Sequence, residues 1–286
     1  MTKFIFVGCD TVELARKYGT PLYVMSEDYI VDRCREIKDD FLEKYDNTMA
    51  VYASKAFLTK EMARIIKREG LGMDVVSGGE LYTAMAVNFP MDKIVFHGNN
   101  KSIDEIRMAV KNNVGRIVVD NISEIDLIGS IASECNKKVG ILFRVTPGVE
   151  THTHRYIQTG QVDSKFGIPL RGKIINKAVK KAMNYRNIEP LGFHFHLGSQ
   201  IHDNQCYIIA VKRIVALMEE LKDELGYITK ELNTGGGYGI HYRGEESRKD
   251  LSYFTDAIMN TLEEECSKYQ LHKPLVIIEP GRWIVG

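Results

Sequence analysis

Neither sign of charge prevails in this chain: 38 Lys plus Arg balance 38 Asp plus Glu, for a formal net charge of zero. A nucleic-acid or membrane-surface partner would normally show as a basic excess, so both are set aside. Long apolar runs are also missing, and the N-terminus carries no signal-peptide pattern, so no membrane span or secretory leader is expected. Cysteine is scarce. Cys9, Cys34, Cys135, Cys206 and Cys266 are odd in number, scattered and without a CxxC pair. A disulfide framework or zinc ribbon is thereby excluded, and a reducing cytoplasm is the expected compartment. No low-complexity stretch or linker divides the 286 residues, a length ordinary for one (β/α) barrel.

What the sequence does have is alternation. Short β-rich apolar runs at Thr48–Ala53, 73–76, 93–96, 116–120, 139–145, 191–197, 230–233 and 275–279 make eight predicted strands. Helical patterns fill most gaps; Met62, Ile65 and Ile66, for example, recur at helical spacing. Ser77 with Glu80 and Ser102 with Glu105 read as capping boxes, and Asn121 with Glu124 as a looser version. Strand–helix alternation predicts parallel pairing, and eight units predict a closed α/β barrel of the (β/α)8 type. Residues 1–26 fall outside the eight units as a separate N-terminal segment, with a short helix at 11–17 and a strand-like 21–25; the barrel domain is 27–286. The segment 147–168 is too long for an ordinary βα loop and follows a strand's C-terminal end, where barrels keep their active sites.

Parity then sorts the candidate site residues. In the sixth strand Leu191, Phe193, Phe195 and Leu197 share one face, expected under the helices, which points His194 and His196 inward. These could equally be hydrogen-bonded core histidines; a metal site from His152, His154, His194 and His196 lacks a clear third ligand. Lys55 ends the first strand on the face of Val51 and Ala53. From position alone it reads as a snorkelling lysine, although Schiff-base chemistry needs a lysine there. Three glycines, Gly235, Gly236 and Gly237, follow the seventh strand, where barrels often hold phosphate. Glu279 and Arg282, separated by a Pro-Gly turn, close the eighth strand.

Together these residues resemble the fold-type III pyridoxal-phosphate-dependent decarboxylases. The matching stretches are YASKAF around Lys55, DVVSGGEL from Asp74, FHGNNKS from Phe96, FRVTPG from Phe143, THTHRYIQTGQVDSKFG, GFHFHLGSQ, NTGGGYG and IIEPGR. They run in the family's order across nearly the whole chain, and the THTHRYIQTG, SKFG and HFHLGSQ stretches look like its diaminopimelate branch. The resemblance implies a barrel of the alanine racemase/ornithine decarboxylase type with pyridoxal 5'-phosphate as cofactor. Lys55 would form the internal aldimine and His196 would stack on the ring. Ser199, Gly236 and Gly237 would hold the phosphate. Glu279 would pair with the pyridine nitrogen, Arg144 would sit behind the ring, and Gly281 and Arg282 would contact phosphate or substrate carboxylate. The implied reaction is decarboxylation of meso-2,6-diaminopimelate to L-lysine and CO2 by a homodimeric full-length enzyme. Alternatives within the resemblance are a decarboxylase for arginine or carboxynorspermidine, and a cofactor-binding paralogue without turnover. The resemblance also implies a second, β-rich domain that packs with residues 1–26 and is absent from this sequence, so little or no turnover is expected from this chain alone.

Overall fold

The structure, a computed structural model, describes residues 4–149, 165–170, 173–242 and 249–286. A small antiparallel hairpin, β1 (Ile5–Phe6) and β2 (Cys9–Asp10), opens the chain. Helix α1 (Thr11–Tyr18) follows, capped by the Asp10 carboxylate. The expected strand at 21–25 does not form: among the described residues no strand pairs with it. Helix α2 (Glu27–Ile37) comes next and buries Ile30, Cys34 and Ile37.

The barrel itself is built in chain order. Strand β3 (Thr48–Ala53) leads to α3 (Lys60–Arg68), β4 (Gly72–Val75), α4 (Gly78–Met85), β5 (Ile94–Phe96), α5 (Ile103–Lys111), β6 (Arg116–Val119) and α6 (Ile122–Glu134). Strand β7 (Val139–Thr146) carries a short side strand, β8 (Ile168–Pro169). Then come α7 (Ile174–Met183), β9 (Ile188–His194), α8 (Gln205–Leu225), β10 (Glu231–Asn233), α9 (Leu251–Lys268), β11 (Leu275–Ile278) and a last turn of helix, α10 (Arg282–Val285). Strands β3, β4, β5, β6, β7, β9, β10 and β11 pair in that order, all parallel, and β11 returns to β3 to close the ring. All eight predicted barrel strands are present.

Two layers of apolar packing follow from strand parity. Inside the ring, Val51, Val95, Val118, Leu142 and Ile277 touch one another, flanked by Met49, Leu191 and Leu275. Outside it, the other strand faces meet the helices in the main core. Leu191 corrects the parity expected for β9: it packs with the interior set, not with Phe193 and Phe195. The ladder explains this. Ile141 pairs with Pro190 and the next residue, Leu142, with Gly192, so Leu191 is the extra residue of a bulge and the alternation resets after it. The expectation that His194 faces inward survives because the reset falls before it.

The base of the barrel is closed by charge. Arg116 reaches across to Glu231 with both Nε and Nη2 at 2.8 Å, a bidentate pair. Gly192 lies against the same strand. A Cβ there would sit 1.8 Å from the Glu231 carbonyl oxygen, so only glycine allows this approach.

Candidate active site

Strand direction gathers the chemistry at one end. Asp74 sits on β4, His97 just after β5, Asp120 after β6, Arg144 on β7, His194 on β9, Asn233 on β10 and Glu279 after β11. All lie at or near the C-terminal ends of their strands, the face on which barrels of this kind carry catalysis.

Glu279 is the hub. Its Oε1 lies 2.7 Å from His97 Nε2 and accepts at 2.7 Å from Asn233 Nδ2, and its Oε2 lies 3.2 Å from His194 Nε2. Asn233, fully buried, also accepts from the Gly235 N–H at 2.9 Å and so ties the glycine loop to Glu279. Burial alone would raise the Glu279 carboxyl, but the two imidazoles facing it outweigh that and hold it well below the usual carboxylate range. Burial pulls His194 down to about 3, so its ring is neutral, and among the described residues the Nδ1 atom has no hydrogen-bond partner. Asp74 shows the opposite behaviour: buried, with Oδ1 3.7 Å from His97 Nε2 and without a hydrogen-bond partner among the described residues, it is raised to about 6 by desolvation.

A cavity of ≈ 420 Å³ opens above this hub, a size suited to a small organic ligand. Of the residues singled out by sequence, Lys55, His196, Ser199, Gly237, Glu279, Gly281 and Arg282 all line it. Lys55 stands in the turn Ser54–Ala56 that follows β3 and is exposed at the mouth rather than buried. Its positive charge faces Asp74 and His196, and His196, desolvated first and then opposed by Lys55 and Arg144, is held neutral, well below its ordinary value. Arg282 donates from Nη1 to the Tyr242 hydroxyl at 2.5 Å and from Nε to Ser199 Oγ at 3.4 Å. Gly237 has a positive φ of 99°, and a Cβ there would meet the Gly198 carbonyl oxygen at 2.1 Å.

Two candidates stand apart from the cavity wall. Gly236 lies in the loop but turns its carbonyl to the Tyr207 hydroxyl at 2.9 Å. Arg144 lies behind the lining, stacked on the Phe166 ring at 4.5 Å with Nε 3.8 Å from Asp120. His152 and His154 of the considered metal set lie outside the described residues. Among the described residues the donors of His97, His194 and Glu279 come within 4.8 Å of one another, an approach that their hydrogen bonds already explain. The residues that sequence reasoning missed are Asp74, His97, Asn233 and Tyr242. Asp74 and His97 stood in matched stretches without a role, and a polar residue at a strand's C-terminal end was the available signal.

Taken together, fold and site define a parallel (β/α)8 barrel with a lysine, a buried carboxylate and an anion-type loop around one cavity. The chain belongs to the family whose model is described as the pyridoxal binding domain of pyridoxal-dependent decarboxylases, which matches residues 27–286. It is 50% identical to a diaminopimelate decarboxylase of Bacillus methanolicus over 279 residues, covering 98% of this chain and 65% of that protein. For the Bacillus subtilis enzyme of the same name the identity is 43%, with 98% and 64% covered. A crystal structure of diaminopimelate decarboxylase from M. jannaschii superposes with a TM-score of 0.91 at 37% identity, covering 99% of this chain and 65% of that one. A second structure of that protein, in complex with L-lysine, gives 0.90 at 38% identity, with the same coverage. The chain thus spans about 65% of the length of the relatives it matches. Among the described residues no helix is long and apolar enough to cross a membrane.

Proposed function

We propose that this chain is the cofactor-binding part of an enzyme that decarboxylates meso-2,6-diaminopimelate to L-lysine and CO2 with pyridoxal 5'-phosphate. The observation that carries the reading is convergence: Lys55, Glu279 and the Ser199, Gly237 and Arg282 set line one cavity although they come from four different parts of the ring. The residues fit the group. Bound pyridoxal phosphate supplies an electron sink for the pair released when an α-carboxylate departs.

Each side chain has a task that its surroundings support. Lys55 offers its amine at the mouth, where a carbonyl carbon can be reached and a substrate amine can replace it. Ser199, Arg282 and the backbone of Gly237 and Gly281 form the anion-holding wall, Gly236 supports it from within the loop, and the Gly237 conformation lets the main chain come close. Neutral His196 presents a flat ring to the cavity. Ionised Glu279 would hold the ring nitrogen and favour a proton on it. Arg144, behind the wall, adds positive charge near Glu279 and His196. The substrate assignment is supported by the relatives' names and by L-lysine in the M. jannaschii complex.

The same proposal includes a homodimeric full-length enzyme in the cytoplasm. Five unpaired, scattered cysteines support a reducing compartment. It also divides the chain at residue 27. The start of the family match there, and a hairpin paired only with itself, support that boundary.

Borohydride reduction of the cofactor-loaded protein followed by peptide mapping tests the core of the reading. The label is expected on Lys55 and lost in Lys55→Ala. A label on another lysine, or no retained cofactor, would sink it.

A further inference from the structure

Glu279 makes more hydrogen bonds than holding a ligand requires, and their number constrains what the cavity accepts. An ionised carboxylate only accepts, at about four positions shared by two oxygens. Here Oε1 faces His97 Nε2 and Asn233 Nδ2, both at 2.7 Å, while Oε2 faces His194 Nε2 at 3.2 Å. Each nitrogen must therefore be the donor. For His194 this is the tautomer the site favours, because a proton on its partnerless, buried Nδ1 would be an orphan donor. Three positions are thus used within the protein, and one, on Oε2, is left for a group in the cavity that Glu279 lines.

We infer that His97, with His194 and Asn233, is a positioning residue that commits Glu279 to accepting a single ligand N–H and so makes the site selective for a protonated ring nitrogen. The inference rests on the reading of Glu279 given under the proposed function. His97 carries most of it. It is buried, comes from just after β5, three strands from β11 around the ring, and its side chain meets Glu279 at 2.7 Å, Asp74 at 3.7 Å and the edge of His194, with ring centroids 4.7 Å apart. Without its N–H, Oε1 would retain one donor and Asp74 would remain nearby with Oδ1 unpartnered. Held by two donors instead of three, the carboxylate could rotate and turn its free position away from a ring nitrogen, and the hydrogen bond that favours the protonated nitrogen would be lost.

Binding of pyridoxal phosphate and of its deaza analogue, in which C–H replaces the ring nitrogen, tests this directly. Unaltered protein is expected to prefer pyridoxal phosphate by about ten- to a hundredfold, the range of a hydrogen bond to a charged group. His97→Leu should reduce the preference to less than about threefold, whereas His97→Gln, whose amide still donates, should keep most of it. A role in folding alone would weaken both ligands by the same factor and leave the ratio unchanged. An unchanged ratio in His97→Leu overturns the inference while leaving the function standing. Equal binding by the unaltered protein, with Lys55 still labelled, removes Glu279 from the ring nitrogen and the inference with it. Should His97→Leu not fold, 15N spectra of histidine-labelled, unaltered protein decide the matter. The proton is expected on Nε2 of His97 and His194, and a spectrum placing it on Nδ1 of either refutes the assignment.

Discussion

Asp74 and His194 are buried within one cluster and displaced from their ordinary values in opposite electrostatic senses, which makes their removal a sensitive test of that cluster. Between pH 4.5 and 5.5 an unfolded chain protonates its histidines, ordinarily at 6.5, while folded His194, at about 3, stays bare. Unfolding therefore takes up a proton, so His194 stabilises the fold more as pH rises, by ~1.4 kcal/mol per pH unit. Its contribution is complete above 6.5 and is lost as pH falls toward 3. Asp74 has the reverse sign. Folded, it keeps its proton up to about 6, whereas the unfolded chain has released it above 3.8. Unfolding then releases a proton, so stability falls by ~1.4 kcal/mol per pH unit through the same window, and by roughly 3 kcal/mol over the whole interval from 3.8 to about 6. The two slopes oppose each other in the unaltered protein. His196, also held well below its ordinary value, adds a slope of the same sign as that of His194. Unfolding free energies from urea titrations at pH 4.5, 5.0 and 5.5 should separate them. Asp74→Asn should steepen the rise of stability with pH by ~1.4 kcal/mol per unit, and His194→Gln should flatten it by the same amount. Variant lines parallel to that of the unaltered protein would show that neither group titrates as its burial requires, and the account of the cluster would fail.

Further variants test the frame around the site. Arg116→Met leaves Glu231 buried without its bidentate partner at the barrel base, so a loss of about 3–5 kcal/mol is expected by urea titration. Adding Glu231→Leu should recover most of it. Gly192→Ala places a methyl 1.8 Å from the Glu231 carbonyl oxygen, and the obstacle is strand backbone that no rotamer change can move aside. Its cost should exceed the about 1–3 kcal/mol of ordinary overpacking, read as lost soluble yield and a lower urea midpoint. Ser102→Ala opens the closed capping box of α5 and should cost about 1 kcal/mol, a Tm shift of ~2–4 °C by calorimetry.

The strand ring was legible because its signals are local: eight apolar runs, helical spacing between them, and capping residues after several of them. His194 and His196 were placed inward by parity, although Leu191 on the same strand was not. The bulge that turns Leu191 inward depends on pairing with β7, which no alternation within β9 reveals. Glu279 and Arg282 were found through their turn, and both line the cavity. The partners of Glu279 were not found. Asn233 is 46 residues away on the paired strand β10 and His97 is 182 away just after β5, which closure of the ring through β11 and β3 brings near, so that both lie 2.7 Å from Glu279. The hairpin Ile5–Phe6 with Cys9–Asp10 escaped as well, since two-residue strands carry no periodicity to read. Residues 150–164, which fill most of the long segment expected near the site, lie outside the described residues.

The three capping motifs carry one more consequence for where Lys55 stands. Only Ser102 with Glu105 forms the closed box; in the other two the glutamate reaches one residue further back, to the N–H of Val76 or of Asp120. All three glutamates, however, also serve the preceding βα turn. Glu80 accepts from Val76 N–H at 2.7 Å in its own turn and from Ser54 Oγ at 2.8 Å in the turn before. Glu105 accepts from Ser102 N–H at 2.9 Å and from Gly78 N–H at 2.7 Å. Glu124 accepts from Asp120 N–H at 2.8 Å and from buried Lys101 at 2.6 Å. Four consecutive turns of the rim are thereby linked, each to its neighbour, by one carboxylate. Strand pairing alone would leave these turns free to move, since Lys55 lies two residues past the last residue of β3. Ser54, the residue before it, is held by Glu80, which the Ser77 cap sets in place by accepting from the Glu80 N–H at 3.2 Å. The capping residues that mark helix starts in the sequence therefore also fix the lysine's position over the cavity.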